Sequence, residues 1–229
     1  MKKLLASIGQ MLFPNLCVCC DGYLSFQEDK VCDLCLYTLP KFEQLAYKDN
    51  AVAKKFWGRL NAEAATAVLN FNGSGDVRKI LHQIKYKGNI DLGKEMGVLM
   101  GSKIVKMEPL AKVDFIIPVP LHAKRQNFRG YNQCDLLADG ISEVTQLRVR
   151  KDVLVRQKHN GTQTKKKRYE RFINAKEIFR VAKPEELKNK HVLLLDDVIT
   201  TGATLEACGS ALLEVEGLKL SIICLAAAT

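Results

Sequence analysis

The chain reads as an α/β fold, a mostly parallel sheet with helices on both faces, preceded by a small cysteine-bearing unit. Three observations predict this. Short apolar runs alternate with helix-period segments along residues 61–229, the pattern of βα units. The run Val192, Leu193, Leu194 and Leu195 is continuous, as in a strand covered on both faces. Five of the 8 cysteines fall between residues 17 and 35, outside the α/β pattern.

Residues 1–60 form the first unit. Leu4, Leu5, Ile8 and Leu12 share one helical face, while Ser7, Gly9 and Gln10 break the apolar segment and no small-residue cleavage site follows. A short docking helix in a cytoplasmic protein is expected rather than a signal peptide. Next come Cys17-x-x-Cys20 and Cys32-x-x-Cys35. Two such pairs complete an all-thiolate tetrahedral shell, so Cys17, Cys20, Cys32 and Cys35 are the expected ligands of a structural Zn²⁺. A disulfide pair and a redox CxxC are the alternatives. Cys19 is a surplus thiol that could replace Cys17 or Cys20. Cys134, Cys208 and Cys224 are isolated and read as small core residues.

Residues 61–229 form the second unit. A strand is expected near Ala64 to Phe71, then a turn at Asn72 to Gly75. A helix turns Val77, Ile80, Leu81 and Ile84 inward, and a second gathers Leu92, Met96, Leu99 and Met100 on one face. Val113 to Ile117 reads as a strand ended by Pro118, Val119 and Pro120, because proline cannot continue a central ladder. A loop with basic residues follows, then a helix from about Asn132, its cap, to Thr145. Leu154-Val155 and Ile178-Phe179 read as short strands flanking a basic segment. The last strand is Leu218 to Leu225. No apolar run approaches the roughly 18 residues of a membrane span. The net charge of +10 suits polyanionic partners. Its densest cluster, Lys165 to Lys167 with Arg168 and Arg171, is either a solvated helix face or a segment that contacts phosphate or DNA.

The most informative stretch is HVLLLDDVITTGATLEA, residues 191–207. Ligand crevices in open α/β sheets lie at the carboxyl ends of strands. Asp196 and Asp197 stand there, suited to ribose hydroxyls or a hydrated divalent cation. Thr200, Thr201, Gly202, Ala203 and Thr204 lead into a helix near Thr204, whose N-terminal N–H groups favour phosphate. One loop therefore suggests a sugar phosphate.

This loop resembles the phosphoribosyl-pyrophosphate (PRPP) loop of type I phosphoribosyltransferases. The two CxxC knuckles, HQIKYKGN at 82–89, PVPLHAKRQNFRGYNQ at 118–133 and the segment from Arg156 to Phe179 extend the likeness over nearly the whole chain. It resembles the ComF/GntX group, in which a four-cysteine zinc module precedes a phosphoribosyltransferase-like domain. The resemblance implies that Asp196 and Asp197 contact the ribose hydroxyls and Thr200 to Thr204 the 5′-phosphate. It implies that the loop from Val119 to Arg125, with Pro120 and His122, grips pyrophosphate. Arg125 and Lys85 would neutralise that leaving group, with Lys87 and Arg129 nearby and Mg²⁺ bound with PRPP. The segment from Arg156 to Arg171 would close as a lid. The stretch after Thr204 reads as helix and final strand, so the N-terminal module is expected to supply the hood over the acceptor base. The group also implies a role in DNA uptake, with single-stranded DNA and DNA-uptake proteins as partners. In that reading Tyr86, Phe128 and Tyr131 would stack on bases, and the PRPP site would be a sensor or a phosphate cradle.

Overall fold

The computed structural model describes residues 15–42, 47–157 and 179–228. The stretch expected to form the N-terminal docking helix, residues 1–14, and residues 158–178 of the basic segment expected to close as a lid lie outside the described residues. No helix among the described residues is long and apolar enough to cross a membrane.

The centre is a five-stranded parallel sheet of order β1-β7-β6-β2-β3. Its strands are β1 (Ala64–Phe71), β2 (Phe115–Pro118), β3 (Arg148–Val149), β6 (His191–Ile199) and β7 (Lys219–Ala228). The expected alternation of strand and helix and the mostly parallel sheet are both observed. Two details differ from expectation. Pro118 is the last paired residue of β2, opposite Leu195, and does not precede the strand's end. It needs no N–H there because the next donor, Val119 N, carries the ladder on to Leu195 O. The two-residue β3 has too few residues for any periodic signal.

Both faces of the sheet are covered. On one, α2 (Gly75–Tyr86), α3 (Ile90–Ile104) and α6 (Gln133–Thr145) bury Ile80, Met96, Met100 and Leu137 against Val68, Ile116, Leu193 and Leu195. On the other, α7 (Ala203–Leu213), a 3₁₀ turn at Ala53–Phe56, and the antiparallel hairpin β4 (Leu154–Arg156) and β5 (Phe179–Val181) cover Ala65, Ile117, Val192 and Leu194. The alternate residues of 192–195 thus go to opposite cores, which is why the run is apolar throughout.

The cysteine unit carries a short helix, α1 (Asp33–Thr38), and joins the first core through Cys17, Cys19, Val31, Cys35 and Leu39. Glu95 on α3 accepts from the N–H groups of Lys30 and Val31 at 3.0 and 3.3 Å. Lys79 on α2 donates to Cys19 O. Two further short helices, α4 (Glu108–Ala111) and α5 (Ala123–Arg129), complete the described helices.

Helices α3 and α6 cross at backbone contact. A Cβ on Gly97 would meet the Leu137 carbonyl oxygen and stand 2.8 Å from Gly140 Cα, and one on Gly140 would meet Lys94 O. Backbone atoms cannot yield as a flexible side chain does. Gly97→Ala is therefore expected to destabilise by about 2 kcal/mol, overpacking outweighing the ~1 kcal/mol of helix propensity that alanine restores. Thermal unfolding should show a Tm about 5 °C lower. An unchanged Tm would mean that the helices separate freely.

Candidate functional site

The carboxyl edge of the sheet gathers residues from five elements. Strand β6 delivers Asp196 and Asp197 one residue apart, on opposite sides of the strand. Asp197 is buried, and Lys85 from the last turn of α2 stands 2.9 Å from its Oδ2. The ammonium lies off the hydrogen-bonding direction, so the contact is ionic and Asp197 Oδ2 has no aligned donor among the described residues. Asp196 is partly buried. Its Oδ1 accepts from Asp197 N at 2.8 Å and from the Cys134 thiol at 3.4 Å. Burial, then the neighbouring charge of Asp197, pushes the Asp196 carboxyl up to about 7, against the pull of its two donors and of Lys85.

Past Ile199 the chain turns through Thr200 and Thr201, both exposed, to Gly202. Gly202 adopts φ +82° as the cap of α7, and a Cβ there would stand 3.2 Å from the Phe56 ring. Only glycine fits. The helix therefore opens at Ala203, one residue before the expected Thr204. Together with Asp196, Thr200 to Thr204 line a shallow cavity of about 50 Å³ at the N-terminus of α7.

Across β6, the 119–125 segment is less of a loop than expected. His122 is the cap of α5: its Nδ1 accepts from Lys124 N at 3.2 Å, and the helix runs to Gly130, which closes it at φ +81°. His122 is thus engaged with its own helix. Arg125 is exposed on that helix, while Val119 is buried beside Leu195. Arg129 donates to Gln133 Oε1 at 2.7 Å and stacks 5.0 Å from the Tyr86 ring. Tyr131 donates to Ile84 O. These two contacts pin the end of α2 that carries Lys85. Tyr131 is thereby engaged within the fold, whereas Tyr86, though stacked against Arg129, is 58% exposed and Phe128 is 82% exposed. Lys87, the C-cap of α2, is exposed.

Two residues take surroundings that their local sequence does not announce. Cys134, read as an isolated core thiol, is buried but points at Asp196. Arg156 on β4 is half-buried, lies over the Phe179 ring at 5.2 Å, and has no acidic partner among the described residues. Burial, and the like charge of Arg125, depress its basicity. The asparagine cap two residues before Cys134 was a usable signal for the first, because capping fixes where the helix's first turn points. Nothing local marks the second.

The cysteine unit is a separate centre. Cys17, Cys20, Cys32 and Cys35 bring their sulfurs within 4.8 Å of one another. A tetrahedral Zn²⁺ with bonds of about 2.3 Å requires sulfurs about 3.8 Å apart, and Cys20 and Cys32 stand at 3.8 Å. Burial raises the Cys17 thiol, but the backbone N–H groups of Cys32, Cys20 and Cys19 outweigh it and leave the thiol at about 6. That favours the thiolate a metal needs. Cys19 lies outside this set, grouped with Cys35 and Asp76. Burial, then the charge of Asp76, pushes its thiol up to about 12. The four-cysteine set fits zinc, and Cys19 lies outside it.

A parallel sheet with an acid pair and a glycine-capped helix at its carboxyl edge is a phosphoribosyltransferase-like architecture, and residues 136–229 match the phosphoribosyl transferase domain family. The chain is 28% identical over 149 residues to DNA utilization protein YhgH of Escherichia coli, covering 64% of this chain and 65% of that one. It is 43% identical over 91 residues to competence protein F of Haemophilus influenzae, covering 39% and 40%. It is 30% identical over 138 residues to competence protein ComFC of Bacillus subtilis, covering 60% and 54%. The matches thus span less than two thirds of each relative's length. These matches support a ComF-type phosphoribosyltransferase-like family.

Proposed function

We propose that this chain is a PRPP-binding, phosphoribosyltransferase-like protein of the cytoplasm, with a structural zinc module, acting in DNA uptake. The observation that carries the sugar-phosphate reading is the acid pair of β6 running directly into the glycine-capped N-terminus of α7. In this reading Asp196 and Asp197 accept from the ribose hydroxyls, and Asp197 Oδ2, now ion-paired with Lys85, gains a hydroxyl donor. Thr200 to Thr204 hold the 5′-phosphate. Lys85 exchanges Asp197 for the pyrophosphate, beside Arg125 and Arg129. Departure of pyrophosphate leaves positive charge on the ribose ring, and the basic residues stabilise the leaving anion. Mg²⁺ bound with PRPP would add charge neutralisation at the pyrophosphate. The acceptor would face the N-terminal module, which meets α2 at Lys79. Cys17, Cys20, Cys32 and Cys35 would hold Zn²⁺ with no open position, so it would take no part in the reaction.

Calorimetric titration of PRPP with Mg²⁺, followed by a pyrophosphate-release assay across nucleobases, tests this reading. Folded, zinc-loaded protein that binds no PRPP would end it. The pH dependence has a definite sign. Binding needs Asp196 charged, and its carboxyl sits at about 7. Affinity should hold above pH 7 and fall roughly tenfold per unit below it, as for one required deprotonation. The titration repeated between pH 6 and 8, with Asp196→Asn as the control for protonation of PRPP itself, checks this.

A second reading is favoured by exposed aromatic side chains. Tyr23, Phe26 and Tyr37 on the cysteine unit are 82%, 93% and 76% exposed, and Lys41 lies 4.8 Å over the Tyr37 ring. Aromatic faces beside cations suit single-stranded DNA. With the net charge of +10, this supports a DNA-binding protein whose PRPP site is non-catalytic. Binding to mixed-sequence oligonucleotides that weakens steeply with salt is the expected result, and no binding at low salt would exclude it.

A further inference from the structure

Asp196 has one thiol in contact and two more cysteines on neighbouring elements. Cys134, the second residue of α6, directs its Sγ at Asp196 Oδ1. Cys224 is the cross-strand neighbour of Asp196 on β7. Cys208, in the second turn of α7, is close enough to feel the same charge. All three are buried, and burial holds each well above the usual thiol range. They therefore remain neutral and add no charge near the carboxylate, and Cys134 is the one shown in contact with it. The charged neighbours of Asp196 are Asp197 on its own strand and Lys85 from α2.

The donors around Asp196 are unevenly placed. Oδ1 receives both Asp197 N and the Cys134 thiol, while Oδ2 has no donor among the described residues. One oxygen is fastened and the other is left for a ligand. The same turn of α6 reaches across the site. Asn132 accepts from Cys134 N at 3.2 Å as the helix cap, and its Nδ2 donates to Val119 O at 3.0 Å. Residues 132–134 thus tie the acid on β6 to the segment that follows β2.

We propose that Cys134 is a positioning residue for Asp196: its thiol fixes one carboxylate oxygen so that the other faces the sugar, and the Asn132–Cys134 turn sets the spacing between the acid pair and the Val119 segment. The sugar half of this statement rests on the sugar-phosphate reading above.

The test compares Cys134→Ala, which removes the donor, with Cys134→Ser, which keeps one. For Cys134→Ala the expected result is an affinity for Mg²⁺-loaded PRPP about fivefold weaker, the loss of one modest hydrogen bond. Affinity for inorganic pyrophosphate, which touches neither acid, should be unchanged. Cys134→Ser should restore PRPP affinity. A second readout needs no ligand. The ¹³C resonance of the Asp196 carboxyl should titrate at higher pH in Cys134→Ala than in wild type, because a donor that favours the charged form is gone. In Cys134→Ser it should return towards wild type. An unchanged midpoint in Cys134→Ala overturns the proposal whether or not PRPP binds. Absence of PRPP binding by wild type, with the midpoint shifted, would refute the functional reading and leave the positioning role standing.

Discussion

Asp196→Asn and Asp197→Asn should each abolish most PRPP binding yet shift stability in opposite directions. Each replaces a charged acceptor for a sugar hydroxyl with a neutral amide. A charge-assisted hydrogen bond contributes about 1.5–3 kcal/mol, so each change should weaken affinity roughly tenfold to a hundredfold. The stability effects differ because the surroundings differ. Asp196 is held in a setting that raises its carboxyl to about 7. A group raised in the folded state contributes its full stability at low pH and loses it as pH rises through the folded value. Above pH 7 the ligand-free protein therefore carries a charge its fold disfavours, and Asp196→Asn should be at least as stable as wild type there. Asp197 is buried and faces the Lys85 ammonium at 2.9 Å. Asp197→Asn leaves that partly buried lysine without its ion pair and should lower stability. Thermal melts at pH 6 and 8 beside PRPP titrations separate the two. Equal melting changes in both variants would show that the residues share one environment, contrary to the geometry.

That asymmetry marks where sequence reading stops. The strand, the acids and the Gly202 turn were legible because each is a local pattern: a doubly covered apolar run, two acids, a glycine before a helix. The buried faces of α2 and α3 followed from period, and the Asn132 cap from residue type. The Lys85–Asp197 contact and the Cys134–Asp196 contact join residues 112 and 62 positions apart, and no local rule pairs them. Cys134 looked like core because it is an isolated cysteine shortly before Leu136, Leu137 and Ala138, while its neighbour in space is a carboxylate. Helix α5 was read as a loop because most of its residues are polar, Phe128 standing alone among them, and none of them is buried. A helix without an apolar face carries no periodic signal. The close crossing of α3 and α6 is likewise a relation between two glycines on different helices.

Cys17→Ser should remove zinc and unfold more than the knuckle that carries it. Cys17 is wholly buried, and its sulfur accepts from Cys19 N and Cys32 N, so it links both CxxC pairs even before metal is considered. Its thiol, at about 6, is the one best prepared to bind as thiolate. Three thiols cannot close the tetrahedral shell, and a structural zinc site releases much of its binding energy as folding energy. The loss does not stay local, because Cys17, Val31 and Leu39 pack in the same apolar cluster as Ile80 of α2 and Met96 of α3. Loosening the unit exposes that face and frees the Lys30–Val31 backbone from Glu95. A loss of at least about 3 kcal/mol, near 10 °C in Tm for a domain of this size, is expected. Cys19→Ala should keep one zinc per chain, since Cys19 lies outside the four-sulfur set. Metal content by mass spectrometry with the melting curve of each variant decides it. Full zinc in Cys17→Ser together with loss of zinc in Cys19→Ala would exchange the roles of the two cysteines, and would require the first knuckle to turn so that Cys19 faces Cys20 and Cys32 in place of Asp76.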